Sequence, residues 1–181
     1  MDLTGEPDGE PQKMGVAFAD IFTGLYGVIA IQSALRVREQ SQKGQHIDLS
    51  LMDSMIAVLA NQASNYFVSG KSPKRMGNKH PNIVPYQVFK VKDGHLIIAV
   101  GNNEQFERFC KVIGLDYLCS SEEYNDNQKR VQNREKLVEI ITSKTIHYNK
   151  NDLKSLLEEN NVPVGAINDI EEVFNDPQVK Y

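Results

Sequence analysis

The chain has 181 residues, 40% hydrophobic and 24% charged, an ordinary globular composition that excludes disorder throughout and allows one domain, or one and a half, with a substantial core. A formal net charge of −4 leaves no global basic footprint, which argues against a nucleic-acid binder whose whole surface seeks phosphate. The two cysteines, Cys110 and Cys119, fit neither a zinc spacing nor a disulfide framework, so no metal site is expected and a cytoplasmic or otherwise reducing compartment is the simplest reading.

Residues 1–13 are punctuated by Gly5, Pro7, Gly9 and Pro11 and read as a turn-rich entry loop. A long apolar helix follows over residues 15–38, with Arg36 and Arg38 at the end where they complement its dipole. The run 14–35 is long enough to pose a membrane question. Asp20, Thr23, Gln32 and Ser33 interrupt it, and Asp2, Glu6, Asp8 and Glu10 stand where a secretory leader is positive. It reads as a core helix of a large globular protein, with no membrane role. Asp20 is the one charge in that run, and an isolated carboxylate taken out of water is costly unless hydrogen-bonded, paired or neutralised. It is therefore a structural acceptor, a group facing a wet cleft, or a catalytic carboxylate.

Residues 46–51 alternate, Ile47, Leu49 and Leu51 against His46, Asp48 and Ser50, which predicts a short strand. Apolar residues at spacings of three and four, from Met52 to Tyr66, then predict one interior helix to about Val68. Residues 69–85 break the pattern with Gly70, Pro73, Gly77, Pro81 and Pro85, and a loop of that length marks a functional segment and a domain boundary. Beyond it, residues 86–92 and 95–100 flank Asp93-Gly94 and predict a hairpin. Asn103 is placed as the cap of a helix whose face is Phe106, Phe109, Cys110 and Ile113 and whose stop is Gly114. A charged helix is predicted over 127–145 with Val131, Val138 and Ile141 inward, and another over 151–159 with Leu153, Leu156 and Leu157 inward. A strand over 162–167 and a last helical turn from Asp169, stopped by Pro177, complete the chain.

The outcome is uneven. Residues 86–168 make a self-consistent α+β unit, whereas the first 68 residues hold two greasy helices and one strand with too little scaffold to cover them. The expectation is that the chain is a segment of a larger protein, or one half of a split one.

Several blocks in order resemble the class III CoA-transferases, the carnitine dehydratase and bile-acid-inducible protein group. They are Thr4-Gly5 with Pro11, the stretch from Gly15 to Asp20, Gly44-Gln45-His46-Ile47-Asp48-Leu49-Ser50-Leu51-Met52-Asp53, and Gly77-Asn78-Lys79-His80-Pro81. Val84-Pro85-Tyr86-Gln87-Val88-Phe89, Asp93-Gly94, the stretch from Gly101 to Phe106, Asn127, Arg130-Val131, Asn133-Arg134, Val162-Pro163-Val164-Gly165 and Asp176-Pro177-Gln178 continue the match. The resemblance implies an α/β fold: part of a Rossmann-like CoA-binding large domain over 1–68, a small α+β domain over 69–168, and the start of a return crossing over 169–181. It also implies an interlocked homodimer. Much of the nucleotide-binding sheet, and with it most CoA-binding residues, would lie upstream or on a separate N-terminal fragment.

By the same resemblance Asp20 is the catalytic nucleophile. Its carboxylate would attack an acyl-CoA thioester, form a mixed anhydride, and pass CoA to a carboxylic acid with no tightly bound cofactor and no metal. A helix N-terminus is an anion-friendly place for that group. Gly77, Asn78, His80 and Tyr86 are substrate or loop candidates, because family members lay a glycine-bearing loop over the site where N–H groups can stabilise an oxyanion. Gln45 is a weaker ligand candidate; Asp48 and Asp53 read as structural. Residues 83–89 look closest to dicarboxylate-using transferases of the succinyl-CoA:glutarate kind. The rivals are an α-methylacyl-CoA racemase of the same fold, with the aspartate as a proton-transfer base, and an inactive fragment needing an N-terminal partner.

Overall fold

The computed structural model describes residues 1–181, and the chain in it separates into two units, residues 1–77 and 78–181. The loop residues 69–77 stay with the first unit because Arg75 ties them to the entry segment: Nη1 donates to Asp2 O at 3.1 Å and Asp2 Oδ1 at 3.3 Å, and Nη2 to Gly9 O at 3.0 Å.

In the first unit the apolar run becomes one helix, α1 (Phe18–Ser41), with Asp20 in its first turn. No side chain caps its N-terminus at Ala17; at the other end Gln42 takes a left-handed conformation and returns its N–H to Arg38 O at 2.8 Å. Phe18 stacks on Phe22 one turn later, with ring centres 5.8 Å apart. Gly27 matters by close approach, since a Cβ there would stand 3.2 Å from Leu49 Cδ2.

Two expectations fail here. Residues 42–50 are irregular, not a strand. Alternation becomes a strand only beside another strand, and the first unit contains none, so it supplies no part of a sheet by itself. The single helix expected over 52–68 is two, α2 (Leu51–Ala57) and α3 (Asn61–Ser69), parted where Ala60 takes φ +47°, ψ −123°. Apolar periodicity passes through such a break unchanged and cannot reveal it. Ser50 caps α2, accepting from Asp53 N at 3.0 Å while its hydroxyl donates to the Asp53 carboxylate at 2.7 Å, which gives Asp53 its structural role.

The expected burial of α1 is also absent within this chain. None of its residues is buried; Leu25 is 55% and Ile29 61% exposed, and across the first unit only Ser54 is fully covered. By length and composition α1 is apolar enough to cross a membrane, with a hydropathy of 1.4 over its most apolar stretch.

The second unit has a true core. A hairpin of β1 (Tyr86–Val91) and β2 (Gly94–Ala99) pairs antiparallel, with Phe89 opposite Leu96, and β3 (Val164–Ala166) adds antiparallel to β2. Phe89, Val91, Leu96 and Ile98 point to one face, where helices α4 (Asn103–Val112), α6 (Arg134–Thr145) and α7 (Lys150–Glu159) bury them with Phe106, Phe109, Leu137, Ile141, Leu153 and Leu157. The cap of α4 is Asn102, whose side chain accepts from Gln105 N at 2.9 Å, one residue before the expected Asn103. That releases Asn103 for another partner, described below.

The expected helix over 127–145 is split at Asn133 into α5 (Asn127–Gln132) and α6. Asn133 Nδ2 bonds Lys129 O at 3.0 Å and Glu123 O at 3.2 Å, competing with the helical ladder. The inward line runs Arg130, Arg134, Leu137, Ile141 and Thr145, with Val131 and Val138 half-buried at its side. Leu156 likewise faces outward, 39% exposed. The last expected strand contracts to β3, and the last turn becomes α8 (Ile170–Asn175) followed by α9 (Pro177–Lys180). The turn from Asp169 ends ahead of Pro177, as expected, and Pro177 then opens the short α9, since proline suits a first helical position.

Arg130 is fully buried. Its Nε donates to Val84 O at 2.8 Å, Nη1 to Tyr124 O at 3.0 Å and Nη2 to Asn103 Oδ1 at 2.9 Å, and the guanidinium lies 4.3 Å from the Phe106 ring centre. Arg130→Leu leaves two buried carbonyls, Val84 O and Tyr124 O, without their donor, each worth ~1–3 kcal/mol, and chemical denaturation of the variant is expected to show a loss of at least ~2 kcal/mol. Cys110 and Cys119 are free thiols in contact, and burial pushes both above their ordinary value, Cys110 strongly. Alkylation near pH 8 is expected to reach Cys119 slowly and Cys110 only in denaturant, read by intact mass.

Candidate functional site

Asp20 sits on the exposed side of the first turn of α1 and has no hydrogen-bonding or ionic partner in the structure. Beside it opens a cleft of about 900 Å³, walled by residues 1–4 and 13–17 of the entry segment, by Phe18, Ala19 and Phe22 of α1, and by Met55 and residues 58–62 at the α2–α3 junction. Met14, Val16, Phe22 and Leu59 make the lining chiefly apolar, with Lys13 and Asp2 as its charges. Asp20 itself is not part of the lining, though its neighbour Ala19 is. The local chain explains this: an uncapped helix start leaves backbone N–H groups free, and the carboxylate two residues into the helix stands at their edge.

Gly77 belongs to the same unit but does not line this cleft. At φ +60° its N–H donates to Gly5 O at 3.0 Å, and a Cβ there would meet Glu6 Oε2 at 3.0 Å. The left-handed conformation favours glycine there; the Glu6 side chain is exposed and can give way. Its N–H is engaged in this arrangement and is not free for an oxyanion.

The other three loop candidates come together in the second unit. Asn78 Oδ1 accepts from Val88 N at 3.0 Å, and His80 N donates to Tyr86 O at 2.9 Å, so both residues fasten the loop to β1. The His80 ring stacks on Tyr86, centres 5.0 Å apart and planes 13° from parallel. Its Nδ1 accepts from Asn82 N at 3.1 Å. Burial first, and then the positive charge of Arg134, push the imidazole below its ordinary value. Gln45 and Asp48 lie exposed in the irregular segment and join neither group. No set of three or more metal-ligating side chains is present.

Residues that carry this loop escaped the residue-by-residue reading. Asn127 accepts from Val84 N at 3.1 Å and donates to Asn82 O at 2.8 Å; Arg130 donates to Val84 O; Arg134 Nη2 donates to Pro81 O at 3.0 Å. The three stand at i, i+3 and i+7, in line with the buried Leu137 and Ile141. That register was the available signal, masked because arginine is ordinarily assigned to solvent.

The profile described as CoA-transferase family III matches residues 1–181. The chain is 52% identical over 180 residues to a succinate–glutarate CoA-transferase of Agrobacterium fabrum, covering 99% of this chain and 45% of that protein. It is 40% identical over 179 residues to the human succinyl-CoA:glutarate CoA-transferase, covering 99% of this chain and 41% of the human one. Among solved structures, a CAIB/BAIF family protein from Brucella suis superposes with a TM-score of 0.76 at 56% identity, over 99% of this chain and 48% of that one. The chain thus spans less than half the length of the relatives it matches. With agreement along all of its own length, the chain belongs to CoA-transferase family III.

Proposed function

We propose that the protein carrying this chain is a CoA-transferase that moves CoA between an acyl-CoA thioester and a carboxylic acid, with Asp20 as nucleophile. The observation that carries the reading is the position of Asp20, an accessible, unpartnered carboxylate at an uncapped helix start beside a chiefly apolar cleft. Family membership supports it, and the succinate–glutarate relatives favour dicarboxylates as donor and acceptor.

The chemistry follows from a carboxylate's nucleophilicity and a thiolate's leaving ability. An Asp20 oxygen attacks the thioester carbonyl, the C–S bond breaks, and CoA leaves as a thiolate, leaving an acyl-aspartyl anhydride. The thiolate attacks the aspartyl carbonyl and expels the donor carboxylate, giving an aspartyl-CoA thioester. The acceptor carboxylate then attacks that thioester, a second anhydride forms, and the thiolate takes the new acyl group and restores Asp20. An alkyl thiol ionises near about pH 8.5, so it departs as an anion without a strong general acid. No redox cofactor or metal enters this sequence; the CoA thioester is a substrate.

In this reading residues 1–68 form the latter part of a Rossmann-like CoA-binding large domain, residues 69–168 the small domain, and residues 169–181 the start of the return crossing. The exposed apolar sides of α1, at Leu25, Val28, Ile29 and Val37, are then interior surface, covered by the remaining chain, by a separate N-terminal fragment or by the second copy in an interlocked homodimer. The same cover makes α1 a core helix of a cytoplasmic enzyme and not a bilayer span.

In the full-length protein, Asp20→Ala or Asp20→Asn is expected to lower CoA exchange between succinyl-CoA and glutarate by at least ~10³-fold, as losing a covalent nucleophile does. Hydroxylamine or borohydride added with acyl-CoA is expected to modify Asp20, located by peptide mapping. A label elsewhere, or undiminished exchange in the variants, rejects the mechanism; solvent deuterium entering the acyl α-carbon without an acceptor identifies the racemase instead.

A further inference from the structure

The entry segment closes on itself before it reaches α1. Thr4 N donates to Met1 O at 3.0 Å and Gln12 N to Thr4 O at 2.9 Å, while Arg75 Nη2 holds Gly9 O, midway round the loop, at 3.0 Å. Residue 13 therefore leaves the loop beside residue 4, and Thr4 and Lys13 both stand in the wall of the cleft. The chain then bends at residues 15 and 16 into α1, so the same cleft is bordered by Lys13 and by Ala19, the neighbour of Asp20. All of these residues lie within the first unit.

Two charged side chains line the cleft, and one of them is already engaged. Asp2 receives Arg75 Nη1 on its Oδ1 at 3.3 Å. Lys13 is exposed and makes no hydrogen bond or ion pair. Around it the wall is chiefly apolar, built by residues such as Met14, Val16, Phe22 and Leu59. Such a lining suits a short hydrocarbon chain, and one unpaired ammonium in it suits one anionic end. A carboxylate brought among apolar walls is costly to desolvate unless it is paired, and near Asp20 it also meets a like charge. Lys13 is the side chain placed to offset both.

We propose that Lys13 is the specificity-determining residue for dicarboxylates: its ammonium pairs with the distal carboxylate of the substrate while the near end reacts at Asp20. What happens at the near end rests on the CoA-transferase reading; the pairing of Lys13 with a dicarboxylate does not. A monocarboxylic acid of equal length presents a methyl group where the second carboxylate would be, and gains nothing from the ammonium. The binding preference between the two acids therefore reads the contact directly.

The test titrates the full-length protein calorimetrically with glutarate and with pentanoate, which differ only in the second carboxylate. Desulfo-CoA, which carries the phosphates of CoA but cannot form a thioester, is titrated separately. Wild type is expected to bind glutarate at least ~10-fold more tightly than pentanoate, about the worth of one charge-assisted pair. Lys13→Met is expected to abolish that preference and Lys13→Arg to keep most of it, with desulfo-CoA bound alike by all three. In CoA exchange between succinyl-CoA and glutarate, the KM for glutarate is expected to rise ~10-fold in Lys13→Met with a smaller change in kcat. No measurable binding of glutarate by wild type, equal binding of the two acids, or a preference that survives Lys13→Met overturns the proposal. Weakened desulfo-CoA binding in Lys13→Met also overturns it, because the ammonium then serves a phosphate. Should Lys13→Met fail to fold, Lys13→Gln takes its place with the same expectations. Absence of transfer by wild type defeats the CoA-transferase reading, while the titrations judge Lys13 separately.

Discussion

A buried cation with no ion-pair partner, Arg130, sits at the centre of the second unit, and much of that unit is arranged to make its burial tolerable. Its guanidinium spends its donors on two main-chain carbonyls and one asparagine oxygen, and lays its face on Phe106. Neutral acceptors in fixed positions do the work that a carboxylate would otherwise do, and they come from three separate stretches of chain. One charged side chain thereby sets where the loop end at Val84, the turn at Tyr124, the start of α4 and helix α5 must meet. Displacing any of them strands a buried polar group, which is why a single arginine organises more structure than a leucine of similar volume.

The same constraint reaches the loop. Because Arg130 and Arg134 lie on one inward line with Leu137 and Ile141, the helices that build the core also present donors to the loop backbone. Packing and loop placement are one arrangement seen from two sides. His80 gains its stacking and its Nδ1 bond from that placement, and its altered basicity follows from burial and from Arg134.

The first unit obeys the opposite rule. Its helices are regular, and α1 meets Leu49 at Gly27, but most of their apolar surface is left uncovered by residues 1–77. Hydrophobic surface of this extent is stable in water only when another surface covers it. The small share of each relative's length that the chain represents accords with that.

The amino-acid sequence alone determined the long helix around Asp20, the hairpin at Asp93-Gly94, the apolar face of α4 and the family, because each is written in local spacing or in ordered blocks of residues. It pointed to a strand over 46–51 that did not form, since a strand exists only through hydrogen bonds to a neighbour that local spacing does not supply. It passed over the breaks at Ala60 and Asn133, because apolar periodicity does not record a change of backbone angle. Only the tertiary structure decided that Gly77 rests under Glu6, that Asn102 and not Asn103 caps α4, and that two arginines turn inward to hold a loop. Those outcomes depend on which acceptor lies within about 3 Å of which donor, and such distances are set by chain segments far apart in sequence.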